Sequence, residues 1–258
     1  MQAGPLQLTV TALGGIAEVE PGADLAQLLI AALDRHQLVP QPYDVLVLTQ
    51  KIVSKAEGRY LELDRIEPSQ RAHELARITG KDVRLVAAVL SQAEDVLRAK
   101  TNVLIVATRS GLVIANAGID QSNLAAADHG RRVLLLPEDA DASALKLKAR
   151  LDRHYHGDLG LIISDSAGRA WRLGTVGIAI GAAGVPALWD RRGELDLAGR
   201  PLEVTEVGFA DAVAAMAVLA MGEAAEARPA ALVRGLSWSA PARPAAALVR
   251  AKRDDLFR

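Results

Sequence analysis

Apolar residues come along this chain in short bursts, and their spacing switches between strand-like runs and helix-like stripes. Leu6 to Thr11 reads as a strand running into Gly14-Gly15. Asp24 then caps a helix whose Leu25, Leu28, Leu29, Ala32 and Leu33 fall at helical spacing. Val45 to Thr49 is a short apolar strand after Pro42, and Pro68-Ser69 open a helical region. Lys81 to Lys100 predicts a longer amphipathic helix, with Leu85, Val86, Val89, Leu90, Ala93, Val96 and Leu97 on its buried face. Val103 to Thr108 and Gly111 to Ala115 form a hairpin pattern around Arg109-Ser110, followed by a polar loop, Ala117 to Asn123.

Val133 to Leu136 is another strand, and a helix begins at Asp141 or Ser143 and runs to about Arg153. Leu159 to Ser164 reads as a buried strand, Glu203 to Val207 as a further strand, and Ala210 to Met221 as an Ala-rich helix. Alternating strands and helices give a mixed α/β (α+β) class. Several strand pairs are joined too briefly for helical crossovers, so the sheet is expected to be partly antiparallel. No internal repeat or low-complexity linker divides the chain. Residues 1–238 are expected to form the catalytic domain. The Pro-, Ala- and Arg-rich tail 239–258 is expected to pack on its surface.

Composition narrows the chemistry. The 258 residues suffice for a large core, and half are hydrophobic. The longest apolar stretch, Val176 to Trp189, is interrupted by Gly177, Gly181, Gly184 and Pro186, which argues against a membrane span. The amino terminus lacks a basic region followed by an apolar core, so a cytoplasmic location is expected. A net charge of −1 with interspersed signs, and 3% aromatic residues, argue against nucleic acid as main partner. Without cysteine, disulfides, thiolate zinc sites and a cysteine nucleophile are excluded.

Four segments place polar groups directly after a strand. Gly14-Gly15-Ile16-Ala17-Glu18 offers unhindered backbone donors to a phosphate, though a tight turn needs the same glycines. In Thr49 to Arg59, Lys51 and Lys55 share a face if helical and, with Ser54 and Arg59, could clamp phosphates or form a solvated basic face. In Asn116 to Asn123, Asp120 and Asn123 are oxygen donors suited to Mg²⁺ or Mn²⁺, or to an Asx-rich surface turn. Ile162 to Gly174 ends an apolar run in Asp165 and Ser166, then adds Arg169 and Arg172 on what reads as one short loop. Such a loop suits a divalent cation and a polyanion, or an ordinary Asp/Ser turn. No phosphate-loop or dinucleotide-binding fingerprint and no Gly-x-Ser-x-Gly elbow is present. His154 and His156 suit a zinc pair less well than a surface loop.

The stretches QKIVSKAEGR, HELARITGKD, ANAGIDQSN, LLPEDADASA, SDSAGRAWRLG, VTEVGFADAVA and the final DDLFR follow one another from near the amino terminus to the last residue. In that order they resemble the coenzyme F420-0:L-glutamate ligase family, in its stand-alone form without a following nitroreductase-like domain. The resemblance implies a mixed α/β fold unlike phosphate-loop and Rossmann enzymes, with two lobes, working as an intertwined homodimer. It implies GTP as co-substrate, Mg²⁺ or Mn²⁺ with K⁺ as a further ion, and coenzyme F420-0 and L-glutamate as substrates. The first glutamate would join the lactyl carboxylate and later ones would be γ-linked, through an acyl phosphate.

Carried over by position, Ile16, Ala17, Glu18 and Val19 would line the GTP site, Gln50 and Lys55 would contact its phosphates, and Asn123 would touch the nucleotide. Asp120, Asp165 and Ser166 would bind metal, with Glu223 beside them, and Arg169 or Arg172 would complete the positive clamp with Lys55. Position 166 is more often threonine in the family, Thr175 stands where relatives have glutamine, and Glu223 replaces the glutamine of an archaeal Met-Gly-Gln. Glu206 and Asp211 are candidates for a base on the glutamate amine. The competing readings are a non-catalytic deazaflavin- or nucleotide-binding module and a metal-dependent nucleotide hydrolase.

Overall fold

The computed structural model describes residues 5–122, 128 and 130–255. The chain begins with β1 (Thr9–Leu13), α1 (Leu25–Arg35), β2 (Val45–Thr49), α2 (Gln50–Ala56) and β3 (Tyr60–Glu62). Then come α3 (Gln70–Thr79), α4 (Val83–Gln92), β4 (Ala93–Lys100), β5 (Val103–Thr108), β6 (Val113–Ala115) and β7 (Arg132–Leu134). It closes with α5 (Ala140–Tyr155), β8 (Gly160–Arg169), β9 (Arg172–Ala183), β10 (Leu188–Asp190), β11 (Glu206–Gly208), α6 (Phe209–Met221) and β12 (Ala230–Arg234). Asp24, Ser69 and Asp139 each accept a backbone N–H three residues on, satisfying one of the donors that a helix start leaves free.

The main sheet has the order β1-β12-β2-β8-β9. β12 is antiparallel to both β1 and β2, β8 is parallel to β2, and β9 is antiparallel to β8. The α+β class and the partly antiparallel sheet are therefore as the sequence predicts. β2 lies in the middle and alternates between two apolar layers, as a strand covered on both faces must. Leu46 and Leu48, with Leu161 and Ile163, pack among residues of α1 and α5. Val45 and Val47, with Ile162, pack against α6. α6 lies so close to β9 that a Cβ on Gly177 would stand 2.6 Å from Val218 and 2.7 Å from the Ala214 carbonyl. Buried Asp44, before β2, receives Arg234 Nε at 3.0 Å and Nη2 at 2.7 Å, tying β12 to β2.

A third core collects α3, α4 and β5 with Val133 and Leu135, so these elements form a lobe of their own. Its sheets are β4-β5-β6 and β3-β7. Among the described residues no helix is long and apolar enough to cross a membrane.

Four boundaries depart from the sequence pattern. The helix expected over Lys81 to Lys100 ends at Gln92, and Ala93–Lys100 is β4. Two register shifts in the β4–β5 pair make Ala93, Val96 and Ala99 the inward residues, a spacing of three that imitates a helical stripe. The loop expected after Ser164 is strand, because β8 runs on to Arg169 and pairs with β9 down to Arg169↔Arg172. The first strand begins at Thr9 rather than Leu6 and reaches Leu13, and the strand expected at Glu203 begins at Glu206. β12, which the sequence reading passed over, sits between β1 and β2.

The outer edge of β9 is closed by carboxylates rather than by another strand. Asp211 Oδ1 accepts the Ala179 N–H at 2.8 Å, and Asp141 Oδ1 accepts the Ala182 N–H at 2.8 Å. Asp141 also accepts from Ala245 at 2.8 Å and Ala246 at 3.1 Å, which docks the tail against the sheet and leaves Ala245 buried. Asp141→Ala strands these donors and should cost about 3 kcal/mol in urea unfolding, with Asp141→Asn losing less. Unchanged stability in the alanine variant would contradict this role.

Candidate active site

β1, β2 and β8 share one direction, and the carboxyl ends of β1 and β2, with the middle of β8 beside them, open into a cavity of about 440 Å³. This is where open α/β sheets bind ligands, because loops diverge there and backbone polar groups are left to be met. Ile16 to Val19 line it from the loop after β1, and Thr49, Lys51, Ile52 and Lys55 from the end of β2 and α2. Ser164, Asp165 and Ser166 contribute from β8, and Met221 to Pro229 from the segment joining α6 to β12. Four chain segments distant in sequence thus meet, including the Ile16–Val19, Lys55, Asp165–Ser166 and Glu223 positions singled out above.

Asp120 reaches the same place from the second lobe. Asn116, Ala117 and Gly118 all have positive φ (52°, 56° and 69°), and a Cβ on Gly118 would stand 2.7 Å from Leu136. That left-handed run turns the chain so that Asp120 pairs with Leu134 and its carboxylate meets Lys51 Nζ at 2.6 Å. The other oxygen of Asp120 accepts from the Ser122 backbone N–H and hydroxyl, both at 2.7 Å. Asn123 lies outside the described residues.

Asp165 carries the strongest electrostatic signature in the cavity. Burial pushes its carboxyl up to about 6, and the negative charges of Asp120 and Glu223 push the same way. The Ser166 backbone N–H and the Lys51 ammonium act in the opposite direction. Asp165 therefore senses both acidic neighbours across a partly dry space. Glu223 Oε1 accepts the Ser166 hydroxyl at 2.7 Å, so these two proposed oxygen ligands touch. Among the described residues no three His, Asp or Glu side chains form a ready-made metal centre. With Lys51 on Asp120, an ammonium supplies the positive charge. The donors are nonetheless all hard oxygens, the set that suits Mg²⁺ or Mn²⁺. His154 lies in the last turn of α5 with His156 at its cap, remote from these groups in the chain.

Lys55, nearly buried, points into the cavity with Glu18 3.8 Å away. Gln50 is buried, accepts the Ser54 hydroxyl at 2.9 Å, and does not line the cavity. Lys51, one residue on, takes the outward position. Arg59 is committed elsewhere, donating to the Leu136 carbonyl at 2.9 Å. Arg169 and Arg172 face each other in register at the tip of the β8–β9 hairpin, four residues or more beyond Asp165, and do not line the cavity. Glu206 is 3.5 Å from Arg192, and Asp211 holds the edge of β9, so neither candidate base lines it. Arg228 does line it and was missed, since the sequence shows only a lone arginine before Pro229.

The raised Asp165 carboxyl has a measurable consequence. A folded value near 6 against an ordinary 3.8 means the folded state holds this proton more tightly than the unfolded one. Its contribution to stability is therefore greatest below pH 4 and is lost as pH rises towards 6. At pH 7 the metal-free protein carries a penalty of roughly 2–3 kcal/mol from this charge. Asp165→Asn should accordingly raise the melting temperature in chelator at pH 7 and flatten its pH dependence between 4 and 6. A lowered melting temperature would contradict the account.

Comparison with known proteins agrees with the motif order. The family model described as F420-0:Gamma-glutamyl ligase matches residues 15–235. The coenzyme F420:L-glutamate ligase of Methanopyrus kandleri is 45% identical over 246 residues, covering 93% of this chain and 94% of that protein. Its counterpart in Methanothermobacter thermautotrophicus is 42% identical over 231 residues, 90% of each chain. That of Methanocaldococcus jannaschii is 41% identical over 215 residues, 83% of this chain and 84% of the relative. The chain belongs to the F420-0:γ-glutamyl ligase family.

Proposed function

We propose that this protein joins L-glutamate to the lactyl carboxylate of coenzyme F420-0, and then to the γ-carboxylate of the glutamate added, at the expense of GTP. The relatives' names supply the acceptor and the amino acid. The observation that carries the mechanism is the placement of Asp165 between the Lys51–Asp120 pair and the Ser166–Glu223 hydrogen bond, at a cavity that also holds Lys55 and Arg228. Like charges gathered this way suit a divalent cation, and the neighbouring ammonium and guanidinium suit a polyphosphate.

A carboxylate is a poor acyl donor because its leaving group would be oxide. In the first step a carboxylate oxygen of the acceptor attacks the γ-phosphorus, the bond to the β-phosphate oxygen breaks, and GDP leaves. In the second the glutamate amine attacks the acyl carbon, the carbon–oxygen bond to phosphate breaks, and inorganic phosphate departs. The amine's proton passes to solvent or to phosphate. Lys55 and Lys51 bind the triphosphate and neutralise charge as it builds on the departing oxygens. Loop residues Ile16 to Val19 cover the nucleotide and limit water, which would otherwise take the γ-phosphoryl. Asp120, Asp165, Ser166 and Glu223 would hold Mg²⁺ or Mn²⁺, which when bound supplies positive charge against the phosphate oxygens.

A homodimer belongs to the same reading. The β8–β9 tip carries Arg169 and Arg172 away from the chain's own cavity and leaves Leu173 fully exposed, a surface suited to a second copy.

Incubation with GTP, Mn²⁺, coenzyme F420-0 and L-glutamate should raise the acceptor's mass by one or more glutamyl units, with one GDP formed for each. Lys55→Ala and Asp165→Ala should each lower turnover about a hundred- to a thousandfold while leaving the circular dichroism spectrum unchanged. Phosphate release without acceptor or glutamate would identify a nucleotide hydrolase instead. An unaltered acceptor with ligand bound would identify a non-catalytic binding module.

A further inference from the structure

Three substrates must meet in the proposed reaction, and a cavity of about 440 Å³ sits near the small end of the ~300–1,000 Å³ range of ligand sites, room for one of them. A second recess runs along the outer edge of β9, in two joined parts of about 300 Å³ and 250 Å³. Leu112, Ala179, Ala245 and Val249 line both parts. We propose that this recess binds the deazaflavin acceptor, with the heteroaromatic ring in the larger part and the phosphate-bearing tail in the smaller. The assignment rests on the reading of the protein as an F420-0 ligase.

Wall chemistry separates the two parts. In the larger one Leu112, Leu136, Ile180 and Val249 supply apolar faces, and Ala245 and Ala246 leave space for a flat ring to approach. Its carboxylates are already engaged. Asp139 caps α5 through the Ala142 N–H, Asp141 accepts three backbone N–H groups, and Glu138 lies 3.8 Å from Arg59. Their charge is thus partly balanced, which lowers the cost of placing an aromatic ring between them. The smaller part holds Arg250, a phosphate-grade cation, together with two carboxylates, Asp255 and Asp211, the latter raised by burial.

The two sites adjoin. Ile178, which lines the smaller part, is the register partner of Asp165 across the β8–β9 pair. Paired residues on antiparallel strands lie only about 5 Å apart at Cα. A tail leaving the recess at Ile178 therefore emerges one strand away from the carboxylate at the proposed phosphoryl-transfer site. The lactyl group, at the end of that tail, is the part of the acceptor that has to reach it. The ring, which takes no part in the chemistry, stays behind on the edge strand.

Ala246 is exposed yet lines the larger part, so Ala246→Trp fills the ring site with little disturbance of the core. Arg250 is exposed and lies outside the nucleotide cavity. Titrations following deazaflavin fluorescence should show F420-0 affinity falling at least tenfold in Ala246→Trp, with GTP affinity and molecular mass unchanged. Arg250→Ala should weaken F420-0 by about ten- to a hundredfold, the worth of a charge-assisted contact, but leave the phosphate-free deazaflavin nucleoside unaffected. Wild-type affinity for F420-0 in both variants would overturn the site. So would parallel loss of GTP binding in Ala246→Trp, or a change in its oligomeric mass, since the recess would then belong to the fold or to a subunit contact. Failure of the wild type to glutamylate F420-0 would instead sink the ligase reading itself.

Discussion

The Lys51 ammonium, 2.6 Å from Asp120 and acting electrostatically on Asp165, is the contact around which the rest of the site is arranged. Carboxylates gathered in a partly dry space repel one another, and the raised Asp165 carboxyl records that repulsion together with the burial that dominates it. A positive charge has to be present for the arrangement to hold. Lys51 provides it from the first turn of α2, and it does so across the boundary between the main sheet and the second lobe. The two lobes are therefore joined at the point where the chemistry is proposed to occur. Any ligand that changes the charge there also bears on how they meet.

Rigid elements supply the other half of the design. Asp165 sits on a strand paired on both sides, to β2 at its start and to β9 along its length, rather than on a free loop. Asp120 is fixed by backbone pairing to Leu134 and by a left-handed run that a Gly118 side chain would obstruct. Side chains on such frames lose little further freedom when a ligand arrives, which favours tight and well-aligned binding. The edge of β9 is finished by Asp141 and Asp211, and this leaves a recess where a neighbouring strand would otherwise lie.

Much of this was legible in the sequence, for physical reasons that can be named. Leu25 to Leu33 has a clear helical period, Val45 to Thr49 is a short apolar run following Pro42, and Asp24 and Ser69 are strong caps, so these elements fall where expected. Ile16 to Val19, Lys55, Asp165, Ser166 and Glu223 share one cavity, as the motifs suggested. The bulged β4 misled because two register shifts gave a strand a spacing of three. Arg169 and Arg172 were read as close to Asp165 because nothing local reveals that β8 continues and carries them to a hairpin tip. Lys51 rather than Gln50 lines the cavity because α2 begins at Gln50 and turns that side chain inward, onto Ser54. β12 and Arg228 depend on a partner strand far off in sequence, which no local pattern can announce.

The most direct test of the central claim is Mn²⁺ binding followed by electron paramagnetic resonance, in the presence of GTP, for the wild type, Asp120→Asn and Asp165→Asn. Convergence of the two carboxylates on one cation predicts a single tight ion per chain in the wild type. Each variant should then weaken it by at least about tenfold, the equivalent of 1.4 kcal/mol. Wild-type Mn²⁺ affinity in Asp120→Asn would show that the two loops do not serve a common ion, and the account would fail.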